Sequence, residues 1–246
     1  MNNSISRGNC VVFGGHSPIA LSISKKLSTH YKVTHITRNV DSEISKIQST
    51  SLSLREFNIQ NALPKDLEKV LDVLNLNSAD TLIFCHRFRG TLDLEQSFVT
   101  EVVNPFKLSE RWLESSLGSK KNLIFFTSPA HFKTLSDQDV AYHINKSAIA
   151  KLVSYLAVTY AQQNINVFGI SPGSFVEKQR SKSFYESNQD LYRKITDKIP
   201  RRKFVKSDEI AEIIDLLCTN NFGLLSGSIF ELDNLSRFVE FSSVLK

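Results

Sequence analysis

Cysteine is scarce and scattered in this chain. Cys10, Cys85 and Cys218 are odd in number, far apart, and each sits in an apolar segment. That excludes a disulfide framework and points to three buried, reduced thiols. The six histidines show no metal-ligand spacing, so no metal site is expected. No apolar run approaches the roughly 20 residues that a membrane span requires. Residues Met1 to Asn9 lack the apolar core of a signal peptide, and a cytoplasmic location is expected. No repeat, low-complexity tract or linker-like stretch interrupts the chain, so residues 1–246 are expected to form one domain.

What is present is an ordinary globular composition, 41% hydrophobic and 22% charged, with an uneven charge. Of the formal net charge of +5, residues 177–206 carry ten basic against four acidic residues, a net of +6, so the rest carries −1. The basic residues are Lys178, Arg180, Lys182, Arg193, Lys194, Lys198, Arg201, Arg202, Lys203 and Lys206, interleaved with Phe184, Tyr185, Leu191, Tyr192 and Ile195. No nucleic-acid recognition motif accompanies them, so nucleic acid is not an expected partner. The stretch reads either as a solvated surface or as an apolar cover for an anionic ligand.

Strand-like and helix-like segments alternate throughout. Short β-rich runs stand at Cys10–Phe13, Val33–Thr37, Leu52–Asn58, Thr81–Cys85, Leu123–Phe126, Asn166–Ile170 and Gly227–Leu232. Helical stretches run from the Gly-Gly turn through Leu27, near Pro64–Leu74, around Asp93–Ser116, from about Tyr142 to Gln163, and over Ser207–Cys218. Residues 177–206 read as irregular. Nearly continuous apolar strands alternating with helices predict an α/β fold: a doubly wound, seven-stranded parallel sheet with helices on both faces. In such sheets ligands bind beyond the carboxyl ends of the strands, where Phe13, Cys85, Phe126 and Ile170 lead.

Tyr142 and Lys146 are four apart in Ala141-Tyr-His-Ile-Asn-Lys-Ser-Ala-Ile-Ala150, a helix-like segment. That gap sets a phenol and an ammonium one turn apart on one face. A nearby cation favours a phenolate, which suits proton exchange near neutral pH. Other landmarks stand in order around the pair: Phe13-Gly-Gly-His-Ser-Pro-Ile-Ala20 after the first strand, Asn104 in the long helix, Thr127-Ser128 after the fifth strand, and Ser171-Pro-Gly173 after the sixth. Over nearly all its length the chain resembles the single-domain short-chain dehydrogenases/reductases, including the 3-oxoacyl-carrier-protein reductases. The resemblance implies that Tyr142 exchanges a proton with a carbonyl or alcohol oxygen, and that Ser128 hydrogen-bonds that oxygen. It implies that Lys146 favours the ionised phenol and binds the nicotinamide ribose, and that Asn104 helps hold a water leading from Lys146 to solvent. It implies cofactor contacts from Gly14, His16, Ser17, Ile19, Asn58, Tyr142, Lys146, Pro172 and Gly173. Ser128 as a turn cap, and Asn104 as a cap or kink before Pro105, remain open readings.

The chain departs from the family pattern in several places. Pro18 and Ala20 stand where the family has its second and third glycines. Pro18 lacks an N–H near the phosphates, although proline suits a first helical turn. Phe84-Cys-His-Arg87 replaces Asn-Asn-Ala-Gly, so His86 and Arg87 either crowd the adenosine side or, for Arg87, reach a phosphate. Glu177 stands where a threonine usually contacts the carboxamide, Asp233-Asn-Leu235 replaces Asp-Gly-Gly, and Asn58 replaces an aspartate near the adenine. The second strand ends Thr37-Arg38-Asn39, without a carboxylate for a ribose hydroxyl. Arg38 is placed to pair with a 2′-phosphate, so NADP(H) is the expected cofactor.

The expected activity is NADPH-dependent interconversion of a ketone and a secondary alcohol. The expected partner is a small carbonyl or alcohol substrate, either an acyl thioester on an anionic carrier or another anionic carbonyl compound. A homodimer or homotetramer is expected by resemblance. The alternative is a non-catalytic member of the family with weakened cofactor binding.

Overall fold

The computed structural model describes residues 7–62, 67, 70–71, 74, 76–91, 93–114, 120–174, 176–177, 184–219 and 221–239. The helix expected near Pro64–Leu74 falls largely outside these residues, as do Lys178, Arg180 and Lys182.

Nine strands are described: β1 Asn9–Phe13, β2 Lys32–Thr37, β3 Leu52–Glu56, β4 Thr81–Phe84, β5 Lys121–Phe126, β6 Ile165–Pro172, β7 Val176–Glu177, β8 Val205–Lys206 and β9 Ile229–Leu232. Seven of them form one sheet in the order β3-β2-β1-β4-β5-β6-β9, every pairing parallel. This is the expected doubly wound sheet, with the order reversing between β1 and β4.

Burial on both faces explains the apolar strands. Along β1, Val11 and Phe13 enter one core with Leu82, Phe84, Trp112, Phe125 and Val153, while Cys10 and Val12 enter the other with Ile23, Ile124, Phe168 and Ile214. Period-2 side-chain direction thus feeds two layers from one strand. All three cysteines are buried thiols without a disulfide, and burial pushes Cys85 and Cys218 up to about 12.

The main described α-helices are α1 Pro18–Leu27, α2 Ser42–Ser45, α3 Leu94–Phe98, α4 Asn104–Glu114, α5 Val140–Thr159, α6 Gln189–Thr196 and α7 Ser207–Thr219. Boundaries differ from the sequence reading in several places; the helix expected to run to about Gln163 ends at Thr159, and the last strand begins at Ile229 and not Gly227. The long helix expected over Asp93–Ser116 breaks into α3, a π-helical turn at Val99–Val103, and α4. Pro105 accounts for this: it cannot donate to the Glu101 carbonyl four residues back, and its ring crowds that carbonyl, so the ladder widens. The strand expected to reach Asn58 stops at Glu56, because the Asn58 side chain accepts the Gln60 N–H and starts a 3-10 turn instead. The expected irregular stretch 177–206 contains α6, and β7 and β8 pair across its ends. Tyr185, Tyr192 and Phe204 pack there edge to face, with centroids 5.0–5.9 Å apart, and Phe204 is buried. Aromatic packing gives this basic segment a core of its own. No helix among the described residues is long and apolar enough to cross a membrane.

Candidate active site

The candidate site lies along the carboxyl edge of the sheet and has two ends. The first is built by backbone. The N–H groups of Gly14 and Gly15 both donate to the Ile36 carbonyl, at 3.3 and 3.1 Å, and the Ser17 N–H donates to the Gly14 carbonyl. A Cβ on Gly14 would lie 2.0 Å from the Ala20 Cβ, so only glycine lets α1 approach β1 this closely. Gly15 has φ +52°, a left-handed conformation. Buried His35 braces the turn from behind: Nε2 meets the Gly15 carbonyl and Nδ1 meets Ser24 Oγ, both at 2.8 Å. Burial lowers the His35 pKa, so the ring is neutral; Nε2–H donates to Gly15 and Nδ1 accepts from Ser24.

Ser17 is the N-cap of α1 but makes no side-chain cap, and Pro18 occupies the first turn. The helix therefore presents an uncapped, positively polarised N-terminus above a glycine turn. Pro18 sits where an N–H has no intrahelical partner in any case. His16 lies in the same loop, with Nε2 2.9 Å from Asp41 Oδ2. Asp41 also caps α2, and the Ile44 N–H, then His16, hold its carboxyl below the usual range. The end of β2 thus acquires a carboxylate from four residues beyond Thr37, which the Thr37-Arg38-Asn39 segment does not reveal. Arg38 is exposed, and Asn58 spends its side-chain oxygen on the 3-10 turn.

The second end is built by side chains. Asp139 caps α5 by accepting the Tyr142 N–H at 2.7 Å. Thr127 ties β5 to the same helix by donating to the Lys146 carbonyl. Lys146 Nζ comes to 5.5 Å from the Tyr142 ring centroid, so the two side chains share one face as their spacing predicts. The ammonium is nearly enclosed, and its partner is Glu101: Nζ lies 2.8 Å from Glu101 Oε2, with the two side chains 5% and 3% exposed. The approach is an ion pair and not an aligned hydrogen bond. Nζ also reaches the Phe126 carbonyl at 3.4 Å. Burial would raise the Glu101 pKa, but Lys146 and the Phe88 N–H outweigh it and hold the carboxyl below its ordinary value.

Glu101 belongs to the π-helical turn, and the segment after β4 is knitted onto that turn. The Phe88 N–H donates to Glu101 Oε1 at 3.1 Å, and His86 Nε2 lies 3.0 Å from the Thr100 carbonyl. Burial keeps His86 below its ordinary pKa, and its Nδ1 has no partner. Arg87 turns the other way. Its guanidinium carbon stands 4.2 Å over the Tyr142 ring, and Nη2 donates to Gln138 Oε1 at 3.0 Å. The substitution after β4 therefore reaches the phenol itself.

Ser128 and Asn104 are both buried at this edge. Ser128 Oγ accepts the Ala130 N–H at 3.3 Å, the capping role left open by the sequence. The Asn104 amide donates to the carbonyls of Ile59 and Ala62, at 2.9 and 3.4 Å, and so fastens α4 to the loop after β3. The side chain that meets Lys146 comes from three residues earlier. Pro172 ends β6, and Gly173 abuts Asp233, where a Cβ would lie 2.7 Å from the Asp233 Cα. Glu177 is paired in register with Lys206 across β7 and β8.

Residues 92–234 match a family profile described as enoyl-(acyl carrier protein) reductase. An uncharacterized oxidoreductase of Thermotoga maritima is 26% identical over 60% of this chain and 59% of its own length. The chain thus spans under two thirds of that relative. Dehydrogenase/reductase SDR family member 4 of Oryctolagus cuniculus is 23% identical over 88% of both chains. Among solved structures, a Pseudomonas aeruginosa RhlG/NADP active-site complex superposes with a TM-score of 0.79 at 18% identity, covering 95% of this chain and 97% of the other. A 3-oxoacyl-[acyl-carrier protein] reductase from Brucella melitensis in complex with NAD superposes with a TM-score of 0.75 at 16% identity, covering 97% and 100%. With the profile matched over more than half its length and this sheet, the chain belongs to the short-chain dehydrogenase/reductase family.

Proposed function

We propose that this chain is an NADP(H)-dependent oxidoreductase that interconverts a ketone and a secondary alcohol. The observation that carries the reading is the Tyr142–Lys146 face at the carboxyl edge of the sheet, with the ammonium locked in place beside the phenol. Tyr142 is the proton donor and acceptor at the reacting oxygen, Ser128 orients that oxygen, and Asn104 fixes the bend from which Glu101 reaches Lys146. Bound NADP(H) supplies or takes the hydride; the protein supplies position and field. The first end has features that suit a dinucleotide. The left-handed Gly15 and the uncapped α1 N-terminus suit its diphosphate, with Ser17 and Ile19 at the start of the helix. Arg38 is the residue for a 2′-phosphate, His16 flanks it, and Pro172 and Gly173 border the nicotinamide end.

Support for NADP(H) over NAD(H) rests on Arg38, since solved relatives hold either cofactor. A homo-oligomer is part of the proposal, because Val140, Ile144, Tyr155 and Val158 leave α5 with an exposed apolar face. The test is NADPH oxidation with a panel of carbonyl compounds, for the parent protein and Tyr142→Phe. The substitution is expected to lower kcat/KM by about 10²- to 10⁴-fold; equal turnover would remove Tyr142 from its role.

One observation favours the non-catalytic alternative. Lys146 is already engaged by Glu101, so a ribose must share the ammonium with a buried carboxylate.

A further inference from the structure

Two cations flank Tyr142, and they differ in what neutralises them. Lys146 is buried against Glu101, and the two charges cancel where they stand. Arg87 is nearer the ring, at 4.2 Å against 5.5 Å, and is exposed. Its guanidinium has five N–H donors in a planar fork. Among the described residues it makes one side-chain hydrogen bond, to the neutral Gln138, and pairs with no carboxylate. The acids of the adjoining loop are committed elsewhere: Asp139 to the Tyr142 N–H, Asp137 to the Gln138 amide. Arg87 is therefore the uncompensated cation beside the phenol, held by stacking and one hydrogen bond with most of its fork free.

We propose that Arg87 binds a carboxylate carried within a few bonds of the reacting carbonyl, so that the substrate is a small keto acid or hydroxy acid. This rests on Tyr142 being the group at the reacting oxygen. A guanidinium stacked on the ring that delivers the proton leaves room for only a short spacer between anion and carbonyl. Bidentate pairing with a planar carboxylate suits the free fork and ranks an acid above its ester.

The same fork would also pair with the cofactor diphosphate, and the experiment separates the two sources. Acetoacetate and methyl acetoacetate serve as charged and neutral probes with NADPH, using the parent protein, Arg87→Gln and Arg87→Lys. The parent is expected to favour acetoacetate in kcat/KM. Arg87→Gln is expected to lower that preference at least tenfold and Arg87→Lys to lower it less, because charge survives but the fork does not. The calorimetric Kd for NADPH is expected to move by less than threefold. An unchanged preference in Arg87→Gln overturns the proposal, and a large loss of NADPH affinity assigns the residue to the diphosphate. If the parent turns over neither probe, the anion site is decided without turnover, by acetoacetate NMR line broadening. Broadening that is lost in Arg87→Gln supports the site; broadening equal in both proteins, or absent, overturns it. Arg87 is exposed, so equal melting temperatures are expected and check that the variants fold.

Discussion

The two ends of the candidate site invert each other. At the phosphate end the sequence departs from the family pattern, with Pro18 and Ala20 in place of glycines, yet the turn and the open N-terminus of α1 are formed. At the phenol end the sequence keeps Asn104, Ser128, Tyr142 and Lys146, yet the Ser128 hydroxyl caps its own turn, the Asn104 amide holds the loop after β3, and Lys146 is ion-paired with Glu101. A site made of backbone N–H groups tolerates side-chain changes that leave the chain path intact. A site made of side chains depends on neighbours that a motif does not contain. Retention of a motif is thus weaker evidence about a side-chain site than its degeneration is about a backbone one.

The comparison breaks most visibly at Lys146. Replacing it with methionine leaves Glu101 buried and unpaired, an expected loss of about 3–5 kcal/mol in chemical denaturation. Adding Glu101→Gln should recover part of that loss. A double variant no more stable than Lys146→Met would show that the ion pair does not couple the two residues.

At the phosphate end, Gly14→Ala is expected to cost about 1–3 kcal/mol, because its Cβ overlaps that of Ala20. An unchanged melting temperature would mean that α1 does not rest on Gly14.

A smaller effect appears in acid. The Glu101 carboxyl is held below its unfolded value of about 4.3, so its contribution to stability is complete above that pH. The contribution is lost as the pH falls through the lower, folded value. Glu101→Gln should therefore lose less stability than the parent between neutral pH and acid, measured by denaturant midpoints. A parallel loss in both would detach Glu101 from the acid limb.

The least effect is expected from Pro18→Ala. Proline's missing N–H has no partner at that position, so the Kd for NADPH should change by less than about threefold. A larger gain on substitution would show that Pro18 obstructs the phosphates.

Fold was legible where pattern is local. The apolar strands, the glycine turn after Phe13 and the Ser207 helix start all follow from neighbouring residues, and the sheet order agrees. The π-helical turn was half-visible, since Asn104-Pro105 marks a break without saying what the widened turn carries. Glu101 had one faint signal, an acid inside the apolar run Phe98-Val-Thr-Glu-Val-Val103. Its partner lies 45 positions away, and no spacing rule links them. The same holds for His35 behind Gly15, for Asp41 beside His16, and for Arg87 over Tyr142. These contacts join segments that meet only once the sheet is assembled. Residues 177–206 read as irregular because their aromatics pack on one another, without a helix-long stripe against the main core.

The claim that both ends serve one dinucleotide is tested most directly by calorimetric titration of the folded protein with NADPH and with NADH. The account predicts saturable binding of NADPH and binding of NADH at least about tenfold weaker, a difference of about 1.4 kcal/mol that Arg38→Ala removes. Absence of heat from either cofactor at millimolar concentration would contradict it.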